Sequence, residues 1–241
     1  MPLACIPDSC FLIDWSRYRH RFTLTELYKP VYVLRDVLDE LRTSAPLEYV
    51  SRLLGEEAAA IYAETVDEAE EARRLVEASI STPHARRVDY PEALCLTVAR
   101  RRGCVVLTEN RGALSVGSWR SEYRRVRVMN AIRVLAEAVR CRLLDDFTRA
   151  LEEYESDTGH VYSAREVEEV RRMLLDPVED ELYELRARSL DRREFEKLPR
   201  HVQAAVELFM KTGDLRLAQK LSSLDLESFV DVLKRCRVYI T

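Results

Sequence analysis

The chain has 241 residues, 47% of them hydrophobic, and a formal net charge of −4 at pH 7. That length and apolar content suffice for one large domain or two small ones. The sequence shows neither a secretory signal nor an apolar run long enough to cross a membrane, so we predict a soluble, cytoplasmic protein. The six cysteines form no C-x-x-C pair and the four histidines are scattered, which argues against a zinc site and favours core thiols.

Charge is distributed unevenly along the chain. Residues 1–143 carry 22 basic and 20 acidic side chains, a net charge of +2, and residues 144–241 carry 16 and 22, a net charge of −6. This difference predicts two modules. Of the 38 basic residues 33 are Arg, and the chain has only two Asn and two Gln, a composition that favours a thermophilic, archaeal-type source.

Short apolar segments alternate with helix-like segments over the first 142 residues. The strand-like segments are residues 3–6, 58–65, 104–107 and 124–128. Helical spacing occurs in residues 9–18, 31–44, 66–80, 91–102 and 130–143. This alternation predicts an α/β fold with a central parallel sheet flanked by helices.

Two of these helices carry further signals. Residues 31–44 place apolar side chains on one helical face, namely Val31, Leu34, Val37, Leu38 and Leu41. The helix over residues 91–102 begins with Pro91, which is favoured in a first turn, and is expected to stop at Gly103.

No strand pattern remains after residue 143, which predicts an all-helical C-terminal region. Helical segments cover residues 143–156, 163–175, 177–198 and 201–236, the last as three short helices. Ser163 and Glu166 form a capping box at the start of the second segment. Gly213-Asp214 and Leu224-Asp225 mark the breaks between the three short helices.

Four acidic residues of the first half mark the ends of predicted elements: Asp8, Glu40, Glu92 and Glu109. Sites in open parallel sheets form outside the carboxyl ends of the strands. Carboxylates that converge there repel one another unless a cation neutralises them, and hard oxygen ligands select Mg²⁺ or Mn²⁺. Such an ion can activate water beside a phosphodiester, so the sequence predicts a metal site for hydrolysis.

A structural role for the same acids remains open at this point. Asp89 and Glu92 are residues that a helix N-terminus prefers through capping and the helix dipole. Glu40 would then be a solvated helix residue. The acids by themselves therefore leave two interpretations, a metal site or ordinary helix ends.

Three blocks in this order resemble the PIN domain, the nuclease fold of VapC-type toxins. They are "PDSCFLIDWSRY", "PVYVLRDVLDELRTS" and "PEALCLTVARRRGCVVLTENRGAL", within residues 1–142. The resemblance places the family's acids on Asp8, Glu40 and Glu92, and its T-x-N/D block on Thr108, Glu109 and Asn110. A fourth acid that many toxins carry falls on Ala113, so either Glu109 or the spare acid Asp89 would substitute for it, or the site would hold only one metal.

The resemblance implies an endoribonuclease that depends on Mg²⁺ or Mn²⁺ and pairs as a homodimer. Asp8, Glu40 and Glu92 would hold the metal, and Glu109 or Asn110 would complete its shell or position water. The hydroxyl groups of Ser9 and Thr108 would contact the metal's waters or the scissile phosphate of RNA. Candidate phosphate contacts are Arg17, Arg19, Arg111, Arg124, Arg125 and Arg127.

The terminal segment, about residues 200–241, resembles a small helix-turn-helix family encoded beside PIN toxins as their antitoxins. The matching positions are Leu217, Ala218, Leu221, Phe229 and Leu233. The resemblance implies a module that covers the nuclease site, in its own chain or a partner's, with Lys234, Arg235 or Arg237. An ordinary three-helix packing unit would show the same apolar positions.

We therefore predict a PIN-like nuclease domain at residues 1–142, a helical linker region at 143–195 and an antitoxin-like helix-turn-helix module at 196–241. Two alternatives stay open. The first is a PIN scaffold of little activity that binds RNA or a protein partner, which Ala113 favours and the retained Asp8, Glu40 and Glu92 disfavour. The second is a helix-turn-helix regulator, although the few basic residues of the terminal helices predict only weak DNA binding.

Overall fold

The computed structural model describes residues 3–175 and 190–238, and its contacts divide the chain into two compact units. The N-terminal unit comprises residues 1–170 and the C-terminal unit residues 171–241. Residues 143–170, which the sequence analysis assigned to a helical linker region, thus belong to the N-terminal unit.

Five parallel strands form the sheet of the N-terminal unit, in the order β3-β2-β1-β4-β5. The strands are β1 (Leu3–Pro7), β2 (Tyr28–Leu34), β3 (Ala59–Tyr62), β4 (Val105–Leu107) and β5 (Val128–Met129). The α/β class with a parallel sheet flanked by helices is therefore confirmed. The strand β4 and the last three residues of β1 are buried, as expected for a parallel sheet covered on both faces.

Besides the 3₁₀ helix Ser121–Tyr123, ten α-helices lie within residues 3–175. They are α1 (Ser9–Arg17), α2 (Thr23–Leu27), α3 (Arg35–Glu40), α4 (Ser44–Gly55), α5 (Val66–Ser81), α6 (Tyr90–Arg102), α7 (Arg111–Trp119), α8 (Ala131–Arg140), α9 (Phe147–Thr158) and α10 (Ala164–Leu175). Local chemistry sets several of their ends. Gly103 ends α6 in the left-handed conformation at φ 71°, and Thr65 with Glu68 forms a capping box at the start of α5.

The helix predicted over residues 31–44 is wrong in its first part. Tyr28–Leu34 forms β2, which lies between β1 and β3, and only Arg35–Glu40 is helical. Val31 and Val33 are fully buried in this strand. Branched side chains suit a strand as well as a helical face, and the backbone partners on both sides decide for the strand.

The helix α9 packs on α1 through an aromatic cluster. The ring of Tyr154 lies 5.9 Å from that of Trp15 and 5.4 Å from that of Tyr18, and none of the three side chains is exposed. This packing explains why the N-terminal unit extends past residue 142.

The C-terminal unit contains the three short helices that the sequence predicts, Arg200–Thr212, Leu215–Ser222 and Leu226–Arg235. Gly213 ends the first at φ 68°, and Asp214 and Asp225 cap the next two. They enclose an apolar core that includes Phe209 and Phe229. Of the helix predicted over 177–198, the short helix Arg192–Glu196 is seen, while residues 176–189 lie outside the described residues, so the all-helical character of the whole region stays a prediction.

Within the described ranges, no helix combines the length and apolar character that crossing a membrane would require. None of the six cysteines, all of which are described, forms a disulfide.

Candidate functional site

The strand order reverses at β1. The chain adds β2 and β3 on one side of β1, then crosses to add β4 and β5 on the other side. In open α/β sheets the crevice for a ligand forms at such a switch point, outside the carboxyl ends of the strands. Asp8 directly follows β1 and Thr108 directly follows β4, so both lie at this point.

Asp8 is a buried carboxylate held by three donors. It is 2% exposed and caps α1 by accepting from the backbone N–H of Phe11 at 2.8 Å. The Cys10 thiol lies 3.0 Å from both carboxylate oxygens, and the Thr108 hydroxyl donates to Oδ2. Burial raises the pKa of Asp8, these hydrogen bonds offset part of that rise, and the charge of Glu40 adds to it. The carboxylate is fixed in place and close to other negative charge.

Glu40 reaches the same place from the end of α3. Its side chain is exposed and accepts a hydrogen bond from the hydroxyl of Ser9, the first residue of α1. The charge of Glu40 is one of the causes that raise the pKa of both Asp8 and Glu92. The hydrogen bond to Ser9 places Glu40 beside the start of α1, next to Asp8.

Glu92 lies in the first turn of α6 and has one unsatisfied oxygen. Its Oε1 accepts from Nδ2 of Asn110 at 3.1 Å, whereas its Oε2 is buried without a hydrogen-bond partner. Burial raises the pKa of Glu92, and although a backbone hydrogen bond opposes this, the charges of Asp8, Asp89 and Glu40 raise it further. Buried acceptors without a partner are rare in proteins, so Oε2 is available to accept from a water or to contact a cation.

Asn110 connects two elements. Its Oδ1 caps α7 by accepting from the N–H groups of Gly112 at 2.7 Å and Ala113 at 3.1 Å, while its Nδ2 donates to Glu92. Thr108, which is fully buried, accepts from the Asn110 N–H at 2.9 Å. Thr108 thus holds Asp8 and Asn110 holds Glu92, instead of presenting free groups to a substrate.

Glu109 is bound to partners outside this acidic group. Its Oε1 accepts from the N–H of Ala131 at 2.7 Å and from the Tyr162 hydroxyl at 2.8 Å, and its Oε2 lies 3.5 Å from Nε2 of His160. Burial raises the pKa of Glu109, these three partners lower it, and the charge of Asp8 raises it. Tyr162 lies 53 residues from Glu109 along the chain, so no local sequence pattern indicates this contact.

Asp89 is the most peripheral of the predicted acids. Its side chain is 63% exposed, makes no capping hydrogen bond to α6 and lies 3.3 Å from Nε of Arg87. It adds its charge to the environment of Glu92.

The predicted phosphate contacts are scattered. Arg111 is exposed beside Asn110, but Arg17 lies at the other end of α1 from Asp8, about 13 Å along the helix. Arg19 pairs with Asp157 at 2.6 Å. Arg127 pairs with Glu137 at 3.1 Å, and Arg124 and Arg125 are exposed.

Arg87, which the sequence pattern does not single out, is exposed, and its backbone lies near the start of α7. A Cβ atom added to Gly112 would lie 2.1 Å from the Arg87 carbonyl oxygen, so the two backbones are in close contact. A glycine in the first turn of a helix is the signal that could have indicated this approach.

The donor chemistry suits a hard divalent cation, although the side chains do not form a closed ligand set. Among the residues that the structure describes, no three His, Cys, Asp or Glu side chains are grouped so that they could hold a metal ion. Asp8, Glu40 and Glu92 nevertheless share uncompensated negative charge, and Glu92 has a free buried oxygen. Carboxylate oxygens of this kind are the ligands that Mg²⁺ and Mn²⁺ prefer.

In the C-terminal unit, some of the positions that resemble the antitoxin family are buried and others are exposed. Ala218, Phe229 and Leu233 are buried in the helical core, whereas Leu217 and Leu221 are 48% and 45% exposed. The cations proposed to cover a nuclease site have acidic neighbours within this unit. Lys234 lies 3.9 Å from Asp231, and Arg237 lies 4.0 Å from Asp191.

No model of a known protein family matches the chain, and no curated protein matches it either. Support for a function therefore comes from the fold, the switch point and the acidic side chains beside it.

Proposed function

We propose that the N-terminal unit is a divalent-metal-dependent endoribonuclease of the PIN type. The observation that carries the proposal is the place of Asp8 at the switch point between β1 and β4, where the charge of Glu40 raises the pKa of both Asp8 and Glu92. Neighbouring carboxylates, one of them with a buried oxygen that has no hydrogen-bond partner, are costly without a positive charge beside them. Holding a cation for a reaction on a phosphodiester would account for this arrangement of acids.

Each residue of the group has a distinct role in the proposal. Asp8, Glu40 and Glu92 would hold Mg²⁺ or Mn²⁺, an ion that supplies an activated water and neutralises charge on the phosphate. Thr108 and Asn110 orient Asp8 and Glu92 through the hydrogen bonds described above. The exposed guanidinium groups of Arg111 and Arg87 are suited to contact RNA phosphates near the start of α7.

The first test is cleavage of a labelled single-stranded RNA by the full chain with Mn²⁺, with Mg²⁺ and with a chelator. We expect Asp8→Asn, Glu40→Gln and Glu92→Gln each to lower the metal-dependent rate at least about 100-fold, since each removes a charge from the metal site. Asn still caps a helix, so Asp8→Asn is expected to fold.

Asp146→Asn is the matched control, because Asp146 caps α9 in the same way and is not part of the acidic group. We expect it to cleave like the unchanged chain. Full activity of Asp8→Asn would contradict the proposed site.

We further propose that the C-terminal unit restrains this nuclease as an antitoxin-like module. The test compares the full chain with residues 1–170, whose folding is checked by circular dichroism. The fragment ends at 170 and not at 142, because Tyr154 of α9 is buried against Trp15 and Tyr18. Faster cleavage by the folded fragment supports restraint, and equal rates contradict it.

The same experiments separate the alternatives. A folded full chain and fragment that bind RNA without cutting it would favour the inactive scaffold. Salt-dependent binding of duplex DNA would favour a regulator, although Glu227 and Asp231 accompany Lys234 and Arg235 on the last helix. The proposed homodimer is tested by the mass of the full chain in light scattering.

A further inference from the structure

The segment of residues 159–162, which we call the strap, is tied to the end of β4 by Glu109. The Tyr162 hydroxyl donates to Oε1 of Glu109 at 2.8 Å. Nε2 of His160 lies 3.5 Å from Oε2 of Glu109, and its Nδ1 lies 3.1 Å from Oδ2 of Asp14 on α1. The strap therefore bridges α1 and the β4 end across the N-terminal unit.

The strap is itself well packed. The rings of His160 and Tyr162 lie 4.7 Å apart, and the Tyr162 ring stacks at 6.3 Å on that of Tyr154, which is fully buried. The Tyr162 N–H also donates to Glu155 at 3.1 Å. These contacts make the strap a firm support for Glu109.

Glu109 has a second partner in addition to the strap. Its Oε1 also accepts from the N–H of Ala131, the first residue of α8, whose preceding residue Asn130 makes no capping hydrogen bond. Glu109 thus serves as the side-chain cap of α8. A carboxylate with these partners is already satisfied, in contrast to Glu92.

The side chains of residues 108–110 consequently bind to different partners. Thr108 holds Asp8 and Asn110 holds Glu92, while Glu109 between them is fixed to α8 and the strap. Neighbouring residues in extended chain are only about 3.3 Å apart along the strand. A displacement of Glu109 therefore moves both donors that orient the acidic group.

We infer that Glu109 is a positioning residue and not a metal ligand, and that Tyr162 of the strap acts on the metal-holding carboxylates through it. The inference rests on the proposed function, because it assigns metal binding to Asp8, Glu40 and Glu92. It differs from the role that the resemblance implies for Glu109. It also assigns to the strap a role that no sequence motif indicates.

The test measures Mn²⁺ binding by isothermal titration calorimetry on the full chain, which does not depend on cleavage. Tyr162→Phe removes only the hydroxyl, and we expect about 10-fold weaker Mn²⁺ binding, as for other groups that orient ligands. Tyr49→Phe is the matched control, since it removes a buried hydroxyl bonded to the Arg21 carbonyl instead. We expect that variant to bind Mn²⁺ as the unchanged chain does.

A pair of substitutions at Glu109 separates positioning from ligation. Gln keeps an oxygen that accepts from Ala131 and Tyr162, so we expect Glu109→Gln to bind Mn²⁺ within about 3-fold of the unchanged chain. Ala lacks that oxygen, and we expect about 10- to 100-fold weaker binding in the folded Glu109→Ala variant. Restoration by Gln is the result that positioning predicts.

Two outcomes would overturn the inference. One is an equal loss for Glu109→Gln and Glu109→Ala, as expected for a direct ligand; the other is a Tyr162→Phe variant that binds like Tyr49→Phe. If either result is found while Asp8→Asn still abolishes Mn²⁺ binding, the inference is overturned and the proposed function is not. If the unchanged chain binds no Mn²⁺, the proposed function fails and the inference fails with it.

Discussion

At the scale of single residues, Gly112 shows how closely the candidate site is assembled. Its Cα faces the Arg87 carbonyl so closely that a Cβ atom would lie 2.1 Å from the oxygen and 2.9 Å from Oδ1 of Asn110. Only glycine leaves room for this contact between the start of α7 and the segment before α6.

Gly112→Ala is therefore expected to destabilise the N-terminal unit by about 2–3 kcal/mol, since backbone atoms have to move apart. Gly55→Ala is the control, because Gly55 lies at the end of α4 with no atom within 4 Å of an added Cβ. We expect that change to alter stability by less than about 1 kcal/mol. Urea unfolding measures both, and equal effects would show that the contact at Gly112 is not tight.

At the scale of elements, α5 and α6 are joined by one half-buried carboxylate. Glu71 of α5 accepts from Arg100 at 2.6 Å, from Arg101 at 3.0 Å and from the Tyr123 hydroxyl at 2.9 Å. Burial by itself would raise the pKa of Glu71, but these hydrogen bonds outweigh it and lower the pKa below its ordinary value of 4.5. Glu71 thus links the helix that carries Glu92 to the rest of the unit.

A lowered folded-state pKa means that Glu71 stabilises the fold above about pH 4.5 and loses this effect as the pH falls through the lower folded value. We expect Glu71→Gln to cost about 1–2 kcal/mol at pH 7, and the cost to shrink as the solution is acidified below pH 4.5. Urea unfolding at several pH values measures this dependence.

Glu70→Gln provides the comparison on the same helix. Glu70 pairs with Arg74 at 3.8 Å, and both side chains are more than half exposed. We expect a change of at most about 0.5 kcal/mol at any of these pH values. A cost at Glu71 that does not vary with pH would contradict the role assigned to its charge.

At the scale of the whole molecule, each unit has its own core. The C-terminal core includes Phe229, which is fully buried, whereas Leu226 on the same helix is 50% exposed. We expect Phe229→Ala to destabilise this unit by about 3–5 kcal/mol and Leu226→Ala by less than about 1 kcal/mol.

Hydrogen exchange read by mass spectrometry locates this loss. We expect Phe229→Ala to lower protection in residues 200–235 and to leave the β-strands of the N-terminal unit unchanged, because the contacts divide the chain at residue 170. Loss of protection in both units would show that they unfold together.

Local chemistry let the sequence determine several features by itself. Gly103 ends α6, Ser163 and Glu166 cap α10, and Asp225 begins the last helix, as predicted. Each signal lies within four residues of the backbone groups that it satisfies, so no knowledge of the fold is needed. The alternation of strand-like and helix-like segments also predicted the parallel sheet, because the spacing of apolar residues in each segment records which of its faces are buried.

Only the tertiary structure decided which side chains meet. Residues 31–34 joined β2 and not a helix, because strands on both sides supply their backbone partners. Asp8 meets Thr108 across 100 residues, and Glu109 meets Tyr162 across 53. Such contacts depend on how the chain returns to the same edge of the sheet, and the spacing of residues along the sequence does not encode that path. The sequence thus determined where the acids stand along the chain, and the fold decided that Glu92 keeps a free oxygen while Glu109 does not.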